Sequence, residues 1–355
     1  MTSGYRLTLT LLAAAALAPI SLNAQAINGA SVNGVLNPVY YSGSDIGAQI
    51  NAAWASGQGK TVRVPAGTYS FSTTIVHPGT GYMLICDTGA TLQYNGSSDA
   101  ITLANGNLGA NQDAGIDGDG GCSLKGTSAA ASGIHIFPSN HTYVKNIRIS
   151  GFTNGYGIKD TGGNSIQLMN ISVFGNKTGI YVTGETLGSS GYAANAVHLS
   201  NSDISANSQW GFDSDNSGCG CTNNLGNTVM NNVFEGNGSG DIYLNWDYGA
   251  VVMGNYFESA GPGVEIGNTQ NTWGITVRGN YFSSFSTTGD RITIGYGDWF
   301  NIEENAEYGA TGGNGCFIDV TTGGSGAAGN IRGVGTNRKM SAHEWCLHGT
   351  GTTTP

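Results

Sequence analysis

A short strand motif recurs from residue 133 onward and constrains the fold more than any other feature of the sequence. Each copy places β-branched or aromatic residues just after a Gly or a similar turn residue. The copies start at Gly133, Gly157, Gly179, Gly211, Asp241, Gly263 and Arg291, which are 22 to 32 residues apart. A period of this length with no helical pattern between the strands is typical of a β-solenoid, in which each repeat forms one coil.

A second strand in each repeat ends in an Asn turn. These turns lie at Asn146, Asn170, Asn201 and Asn231, and in the next two repeats Asn255 and Asn280 come one residue later. The apolar column that follows, which we expect to point inward, consists of Ile149, Val173, Ile204, Phe234, Phe257 and Phe282. Asn tolerates the left-handed backbone of a turn and can hydrogen-bond to the next coil. The pattern predicts an all-β fold, a single right-handed parallel β-helix. A β-sandwich is the weaker alternative, because hairpin dipeptides are not the dominant signal.

Composition agrees with a turn-rich β fold and excludes several classes of protein. The chain of 355 residues contains 59 Gly, and 10% of its residues are charged, against about 25% in an average soluble domain. The net charge of −10 and the lack of a basic run argue against binding to nucleic acid. The glycines follow no three-residue period, which excludes collagen. The 39% of hydrophobic residues argues against disorder.

The first residues have the features of a secretory signal peptide. One early cation, Arg6, precedes an apolar stretch of residues 7–20, and Ala24-Gln25-Ala26 is a small-x-small cleavage pattern. The apolar stretch is too short to span a membrane. We therefore expect residues 1–26 to be removed and residues 27–355 to form a secreted β-helix domain, periplasmic or extracellular, with no membrane span.

Six Cys residues fit an exported protein. An even number of Cys in an oxidising compartment indicates disulfides. We expect Cys86–Cys122 and Cys316–Cys346, because each pair could lie on neighbouring turns of a coil. For Cys219 and Cys221 we expect a local bridge or ordinary thiols rather than a metal site, since no matching Cys or His pair lies nearby.

A helical stretch at residues 44–54 precedes the coils. Its N-cap candidate is Ser44, and its apolar positions follow a helical spacing. Solenoids need caps at their ends, so we expect this helix to cover the N-terminal end of the β-helix. The expected layout is a capping region at about 40–70, coils at about 61–321 and a C-terminal closing segment at about 322–355.

The N-terminal stretch resembles the pectate-lyase-like superfamily. The matching pattern is Asp45-Ile-Gly-Ala-x-Ile-Asn-x-Ala, then Gly59-Lys-Thr-Val-x-Val-Pro-x-Gly-Thr-Tyr69 and the turn Ile116-Asp117-Gly118-Asp119-Gly120. The resemblance implies a right-handed parallel β-helix of the kind found in polysaccharide lyases, polygalacturonase-like hydrolases, epimerases and tailspikes. The polygalacturonase signature of Asn-Thr-Asp, Asp-Asp and Gly-His-Gly is absent from the sequence. No catalytic residue is therefore carried over from the family.

The coil register predicts a candidate site on one outward face. Side chains alternate in and out along a strand. With the apolar residues inside, two outward columns result. The first is His135, Lys159, Tyr181, Asp213, Tyr243, Glu265 and Thr293, and the second is Phe137, Thr161, Thr183, Asp215, Asn245, Gly267 and Gly295. Trp210 and Trp246 lie at the nearby turns. Aromatic rings stack on sugar faces and carboxylates bind hydroxyl groups and perform acid–base chemistry, so this face suits an oligosaccharide.

Three acids of this face are the predicted catalytic residues. Asp213 and Asp215 share a strand, roughly 7 Å apart, and Asp213 and Glu265 lie two rungs apart, roughly 9–10 Å. Inverting glycosidases separate their carboxyl groups by about 6.5–9.5 Å. We expect cleavage of a glycosidic bond in a polysaccharide without a cofactor or metal. The predicted substrate-binding residues are Lys159, Tyr181, Trp210, Tyr243, Asn245, Trp246 and Arg291.

Three other interpretations remain open at this point. A polysaccharide lyase acting by β-elimination would bind Ca²⁺ at Asp213, Asp215 and Glu265, with Lys159 or Arg291 as the base. A non-catalytic β-helix would bind a glycan in the same groove without cutting it. The acids could also be solvated side chains on an ordinary coil face, and a register error of one residue would turn them over. The sequence does not predict an oligomeric state.

Overall fold

The computed structural model describes residues 31–103, 114–187, 190–267, 272–283, 290–308, 315–320, 331–339 and 344–347. The predicted signal peptide lies outside these residues. The described residues form a parallel β-helix, in which each coil stacks on the next through parallel strand pairs. The expected all-β solenoid is therefore confirmed. Among the helices of the described ranges, none has the length and hydrophobicity that a membrane span requires.

An 11-stranded sheet, called sheet 1 below, forms one side of the coil. Every neighbouring pair in it is parallel, because each strand belongs to a new coil. Its strands are Ile75–His77, Asp99–Leu103, Ser132–Ile136, Tyr156–Thr161, Thr178–Thr183, Trp210–Asp215, Gly240–Asn245, Val264–Ile266, Ile292–Ile294, Cys316–Val320 and Glu344–Leu347.

A 22-stranded sheet, called sheet 2, forms the rest of the coil and turns a corner to give two faces. Gly115–Lys125 and Tyr143–Ser150 run through both faces. The other strands of the first face are Ser31–Val32, Val35–Leu36, Thr61–Val64, Met83–Cys86, Gln167–Met169, His198–Ser200, Thr228–Met230, Val251–Met253, Thr276–Arg278, Phe300–Glu303 and Ile331–Arg332. Those of the second face are Gly67–Phe71, Ala90–Tyr94, Ser172–Phe174, Asp203–Ser205, Val233–Glu235, Tyr256–Glu258, Tyr281–Ser283, Ala306–Tyr308 and Arg338–Lys339.

Short elements complete the described structure. Two-stranded sheets form in turns, and 3-10 helices lie near both ends of the solenoid. The first two-stranded sheet pairs Glu185–Leu187 with Ser190–Tyr192, and the second pairs Asn224–Leu225 with Asp247–Tyr248. The 3-10 helices are Pro38–Tyr40 and Val334–Thr336.

The predicted N-terminal helix is present, and its start differs by one residue from the expected cap. It spans Ile46–Ala55, and its N-cap is Asp45 rather than Ser44. The Asp45 carboxylate accepts hydrogen bonds from the backbone of the helix and of the next strand region, which a Ser hydroxyl could not do at both sites. Asn51 bonds to the backbone at Thr74 and Val76. The helix therefore packs against the first strand of sheet 1.

The coils extend further in both directions than the sequence suggested. Val35–Leu36 already pairs in parallel with Thr61–Val64, before the expected start at 61. Strands at Ile331–Arg332 and Glu344–Leu347 continue the stack beyond the expected end at 321. A polar composition there hid the coil, because Ile331 is one of few apolar residues that fill the interior.

The predicted inward column is confirmed residue by residue. Strand pairing places Ile149, Val173, Ile204, Phe234, Phe257 and Phe282 in one register. All are buried, and the rings of Phe257 and Phe282 stack at 4.9 Å. This column is the continuous core that one coil cannot form by itself.

The Asn turns divide into two structural positions, which the sequence pattern had merged. Asn146, Asn170, Asn201 and Asn231 adopt left-handed backbone at the corner of sheet 2. The buried ladder is formed by the next position, where each Asn side chain donates to the Asn of the following coil at 2.9–3.0 Å. Its members are Asn232, Asn255, Asn280, Asn305 and Asn337. Each rung thereby satisfies polar groups inside the coil.

Both predicted inter-coil disulfides are present. The structure joins Cys86 to Cys122 with a Cα–Cα separation of 5.6 Å and Cys316 to Cys346 with 5.7 Å. Cys219 and Cys221 also form a bridge, which is the first of the two alternatives considered for them. The bridges close loops of the unfolded chain, which favours the folded state.

Three interior carboxyl groups are expected to make the folded state less stable as the pH rises. Asp160, Asp241 and Asp247 are fully buried, and burial raises the pKa of each to about 7. An unfolded Asp has a pKa of about 3.9. Between these values the folded state binds more protons than the unfolded state, so stability falls as the pH rises.

The melting temperature is therefore expected to fall by about 5 °C or more between pH 5 and pH 9. Thermal unfolding followed by circular dichroism at both pH values measures this change. Asp160→Asn removes one of the titrating groups and should flatten the curve, whereas Asp203→Asn on an exposed strand should not. A melting temperature that rises over this pH range would show that the interior acids stay ionised.

Candidate active site

The register of sheet 1 confirms the predicted outward column. Strand pairing aligns His135 with Lys159, then Tyr181, Asp213, Tyr243, Glu265 and Thr293 on successive coils. In the second column Thr161 pairs with Thr183, and Asp215 pairs with Asn245. The inward neighbours are buried and, apart from Asp160 and Ser214, apolar. The strand register is therefore the predicted one. A register shifted by one residue would have exposed those apolar side chains to water.

Asp213 is the most perturbed acid of this face. Its Oδ1 atom is buried and has no hydrogen-bond partner among the described residues. Burial, together with the negative charge of Asp215, raises the pKa of Asp213 to about 8. A carboxyl group of this kind keeps its proton at neutral pH, which is the state that a general acid needs.

Aromatic rings surround Asp213. Tyr181 and Tyr243 occupy the neighbouring rungs of its column. Trp210 stacks on Tyr243 with ring centroids 5.1 Å apart, and Tyr156 stacks on Tyr181 at 4.8 Å. Burial raises the pKa of Tyr181 to about 12, with a further contribution from the charge of Asp213. The rings therefore contribute to the partial burial of Asp213 and offer flat surfaces beside it.

Glycine at position 240 makes room for one of these rings. Gly240 lies opposite Trp210 in the strand register, with a φ of 157°. A Cβ atom at this position would come within 2.3 Å of the indole. The indole therefore lies over the glycine and reaches Tyr243 on the same coil.

Asp215 is held as an acceptor of hydrogen bonds. Its Oδ1 accepts from Asn245 Nδ2 at 3.1 Å and from the Ser217 backbone at 2.9 Å. Its Oδ2 accepts from the Ser217 hydroxyl at 3.0 Å. These contacts fix the carboxylate two residues from Asp213. Asn245 is itself buried and serves to position Asp215.

Glu265 lies two rungs from Asp213, with Tyr243 between them. The two rungs separate their backbones by about 9.6 Å. Glu265 is partly buried, and this burial raises its pKa. Two carboxyl groups with an aromatic ring between them are thus aligned along the coil axis.

The structure gives Lys159 and Trp246 less central positions. Lys159 belongs to the same column as Asp213 but lies two rungs away, beyond Tyr181. Trp246 lies in the turn that follows Asn245, with left-handed backbone at a φ of 58° and a buried indole N–H. It borders the groove at the end of a strand.

The prediction that Arg291 binds substrate is wrong. Its side chain is buried inside the coil, where Nε lies 2.9 Å from Glu307 Oε1. The residue precedes Ile292 in the strand and occupies the inward position that Gly263 holds one coil earlier. Glu307 occupies the inward position next to Phe282 on the following coil. Its carboxylate forms the ion pair with Arg291. Sequence alone did not show that partner, because Arg at a strand start is normally solvated.

Tyr156 is a groove residue that the sequence analysis missed. It comes three residues before Lys159, and Trp210 likewise comes three residues before Asp213. This repeated spacing was the available signal.

A buried hydrogen-bond relay closes one end of the groove. His135 Nδ1 lies 2.8 Å from Asp99, and its Nε2 lies 3.1 Å from the Thr161 hydroxyl. Thr161 donates to Glu185 at 2.7 Å, and Glu185 lies on a short antiparallel hairpin. Burial would raise the pKa of Asp99, but hydrogen bonds from His135 and Ser132 hold it below its usual value.

One open cavity lies away from this chemistry. It has a volume of about 530 Å³ and lies along the corner of sheet 2, beside Asn146, Asn170 and Asn201. Its titratable residues are Arg148 and Asp203. A single carboxylate on an open corner cannot supply both an acid and a base, so the groove of sheet 1 is the better candidate.

Solved structures show which proteins share this fold. Tailspike protein 2 from a bacteriophage of Escherichia coli O157:H7 aligns with a TM-score of 0.65 and 15% identity over 86% of this chain and 43% of the tailspike. DFA-IIIase from Arthrobacter chlorophenolicus A6 aligns with a TM-score of 0.66 and 12% identity over 91% of this chain and 92% of the DFA-IIIase chain. ORF18 of Geobacillus virus E2 aligns with a TM-score of 0.57 and 13% identity over 87% of this chain and 60% of the viral chain. The chain thus spans less than half the length of the tailspike.

Sequence comparison adds the family. No curated protein sequence matches the chain. The profile of the right-handed β-helix region matches residues 132–326, which include the strands of sheet 1 that carry Asp213 and Glu265. More than half of the chain lies within this match, and the chain therefore belongs to the right-handed β-helix family.

Proposed function

We propose that the protein is a carbohydrate-active enzyme that hydrolyses a glycosidic bond in a polysaccharide bound along sheet 1. The observation that carries the proposal is the partly buried carboxyl group of Asp213 on an outward column, whose pKa is raised to about 8 by burial and by the charge of Asp215. Functional sites are where such perturbed groups cluster. The enzymes of similar fold, DFA-IIIase and the tailspike with its enzymatically active domain, support the proposal.

In the proposed reaction Asp213 donates its proton to the glycosidic oxygen. Glu265 accepts a proton from a water molecule as the water oxygen attacks the anomeric carbon, and the C–O bond to the leaving sugar breaks. Asp213 ends the step ionised and Glu265 ends it protonated, so the products gain one water in total. The separation of two rungs suits the inverting course, which needs room for that water. Asp215 keeps the proton on Asp213 through its negative charge.

The contacts favour hydrolysis over β-elimination. An acid that holds its proton at neutral pH is a poor ligand for Ca²⁺, which binds ionised carboxylates. Of the two bases considered for a lyase, Arg291 is buried against Glu307. Lys159 lies on the side of Asp213 away from Glu265, where its charge helps to lower the pKa of Asp99. We therefore propose a hydrolase that needs no metal.

We also propose that the enzyme is secreted. Residues 1–26 carry a signal-peptide pattern. The disulfides joining Cys86 to Cys122 and Cys316 to Cys346 require an oxidising compartment. A polysaccharide too large to enter a cell would meet the enzyme there. Mass spectrometry of the exported protein would test cleavage after Ala26.

A polysaccharide panel separates the possible activities. New reducing ends without new ultraviolet absorbance are expected for hydrolysis. Absorbance from a conjugated double bond would instead indicate a lyase, and binding without either product would indicate a non-catalytic glycan-binding protein. Both results contradict the proposal. Activity that survives a chelator is expected, because no step uses Ca²⁺.

Glu265→Gln is expected to lower kcat by about 10²- to 10⁴-fold, because an amide cannot accept a proton from water. Initial rates of reducing-end formation measure the effect. The matched control is Asp215→Asn, which removes a nearby charge but not the proposed acid or base. It should keep partial activity while the alkaline limb of its pH profile moves to lower pH. Loss of all activity in Asp215→Asn with full activity in Glu265→Gln would assign the base to Asp215 instead.

A further inference from the structure

A ladder of paired residues runs along the turn between sheet 1 and sheet 2. Single parallel bridges join one residue of each coil to the next, and the Leu225–Tyr248 step belongs to a short strand pair. In coil order the residues are Asn140, Asn164, Asn195, Leu225, Tyr248, Trp273 and Asp298. The position is thus Asn in three coils and becomes apolar or aromatic in the following three.

The aromatic part of the ladder is exposed. Tyr248 and Trp273 belong to the ladder, and Trp299 follows the ladder residue Asp298. We call these three aromatic residues the aromatic platform. Their exposed fractions are 37%, 39% and 54%. Together with Gly274 they line an open cleft of about 410 Å³. Large aromatic side chains are seldom left exposed in a group unless they bind something.

Coil stability does not account for these rings. The Asn residues of the same ladder show what the turn requires, since Asn164 donates to Asn140 across one rung at 3.0 Å. Trp273 instead meets Tyr248 edge to face, with ring centroids 6.4 Å apart. A polar side chain would serve this turn and would not expose apolar surface.

Trp299 is held in a costly backbone conformation. Its φ is 64°, in the left-handed region that bulky residues rarely adopt. Arg332 lies over its ring at 5.7 Å to the centroid, which orients the indole.

We propose that the aromatic platform is a second glycan-binding site, which holds a stretch of neutral polysaccharide without cutting it. Tyr248 and Trp273 lie on successive coils with ring centroids 6.4 Å apart, so the platform can contact consecutive sugar units of one chain. The cleft lining carries no charged side chain, which suits the apolar faces of neutral sugars. Aromatic rings stack on such faces with little loss of side-chain entropy.

The platform is separate from the proposed cleavage groove but adjacent to it. Tyr248 lies three residues after Asn245, which belongs to the groove. A long polysaccharide bound on the platform would therefore be kept at high local concentration beside Asp213. The inference goes beyond the proposed hydrolysis, because binding on the platform requires no acid or base.

The test measures binding in a protein that cannot cleave. Asp213→Asn is run in native gels containing soluble β-glucan, arabinoxylan, galactomannan or inulin. At least one of these neutral polysaccharides is expected to retard it. In the same background Trp273→Ala/Trp299→Ala is expected to bind that polysaccharide at least about tenfold more weakly. Trp273→Phe/Trp299→Phe keeps the rings and should retain most of the binding.

The control removes an exposed aromatic ring elsewhere. Tyr308→Ala, on the far face of sheet 2, should bind as tightly as the parent, because Tyr308 is 57% exposed and outside the platform. Thermal unfolding checks that every variant is folded. No retardation by any of the four polysaccharides overturns the proposal, and so does equal retardation of the double Ala variant. The parent could instead sediment as an oligomer and the double Ala variant as a monomer, with polysaccharide binding unchanged. That result would show that the platform is an interface between copies of the chain, and it would also overturn the proposal.

Discussion

Asp213→Asn is expected to lower kcat on the polysaccharide substrate by about 10²- to 10⁴-fold, the usual contribution of a general acid. Asn is nearly isosteric and cannot donate a proton to the glycosidic oxygen. The folded state should not suffer, because the side chain it replaces has a buried oxygen without a hydrogen-bond partner among the described residues. Initial rates of reducing-end formation, with thermal unfolding as a check of folding, measure both expectations.

The pH profile of the native enzyme provides the independent readout. Because the pKa of Asp213 is raised to about 8, its proton is present below that pH and is lost above it. The value of kcat/KM should therefore fall as the pH rises through about 8. Asp203→Asn is the matched control, since Asp203 lies on an exposed strand of another face, and it should leave rate and profile unchanged. Full activity in Asp213→Asn would eliminate Asp213 as the acid.

Arg291→Met is expected to destabilise the protein by about 3–5 kcal/mol, the usual cost of breaking a buried ion pair. Arg291 and Glu307 are 2% and 0% exposed, and removal of the cation leaves the Glu307 carboxylate inside the coil. Arg291 also lowers the pKa that burial raises at Asp241, so a second interior acid loses its neighbouring charge. Urea unfolding monitored by tryptophan fluorescence measures the change.

The double variant Arg291→Met/Glu307→Leu distinguishes a lost ion pair from lost packing. Replacing both charges with apolar groups of similar volume should recover most of the stability, because neither charge is then left without its partner. Arg278→Met is the surface control. Arg278 pairs with Glu304 at 2.9 Å with both side chains exposed, so little change is expected. A double variant as unstable as Arg291→Met would mean that packing, not charge, accounts for the effect.

Much of the groove was predictable because its register follows from the core. Placing Phe234, Phe257 and Phe282 inside, with the matching apolar residues of sheet 1, decides which side chains face out. Asp213 and Glu265 then fall on one outward column, since side chains alternate along each strand. The coil period likewise predicted the disulfides, because it places Cys86 near Cys122 and Cys316 near Cys346 on neighbouring turns.

Two predictions from the sequence pattern were wrong because the pattern did not show which way a residue faces. Arg291 looked like an exposed cation until Glu307, 16 residues later, was seen to occupy the inward Phe position beside it. Asn255 and Asn280 looked like corner residues, although the backbone corner lies one residue earlier at Gly254 and Gly279. In both cases the local pattern was ambiguous by one position.

The sequence by itself determined the coil, because a period of 22 to 32 residues with alternating apolar positions can bury its core only by stacking. Only the tertiary structure decided the state of each acid. Asp213, Asp241 and Asp215 are the same residue type in similar strands. Yet the pKa of Asp213 is raised to about 8 beside aromatic rings, Asp241 lies inside the coil, and Asp215 accepts a hydrogen bond from Asn245. Burial and neighbouring charge set these differences, and both depend on residues that meet only when the coils stack.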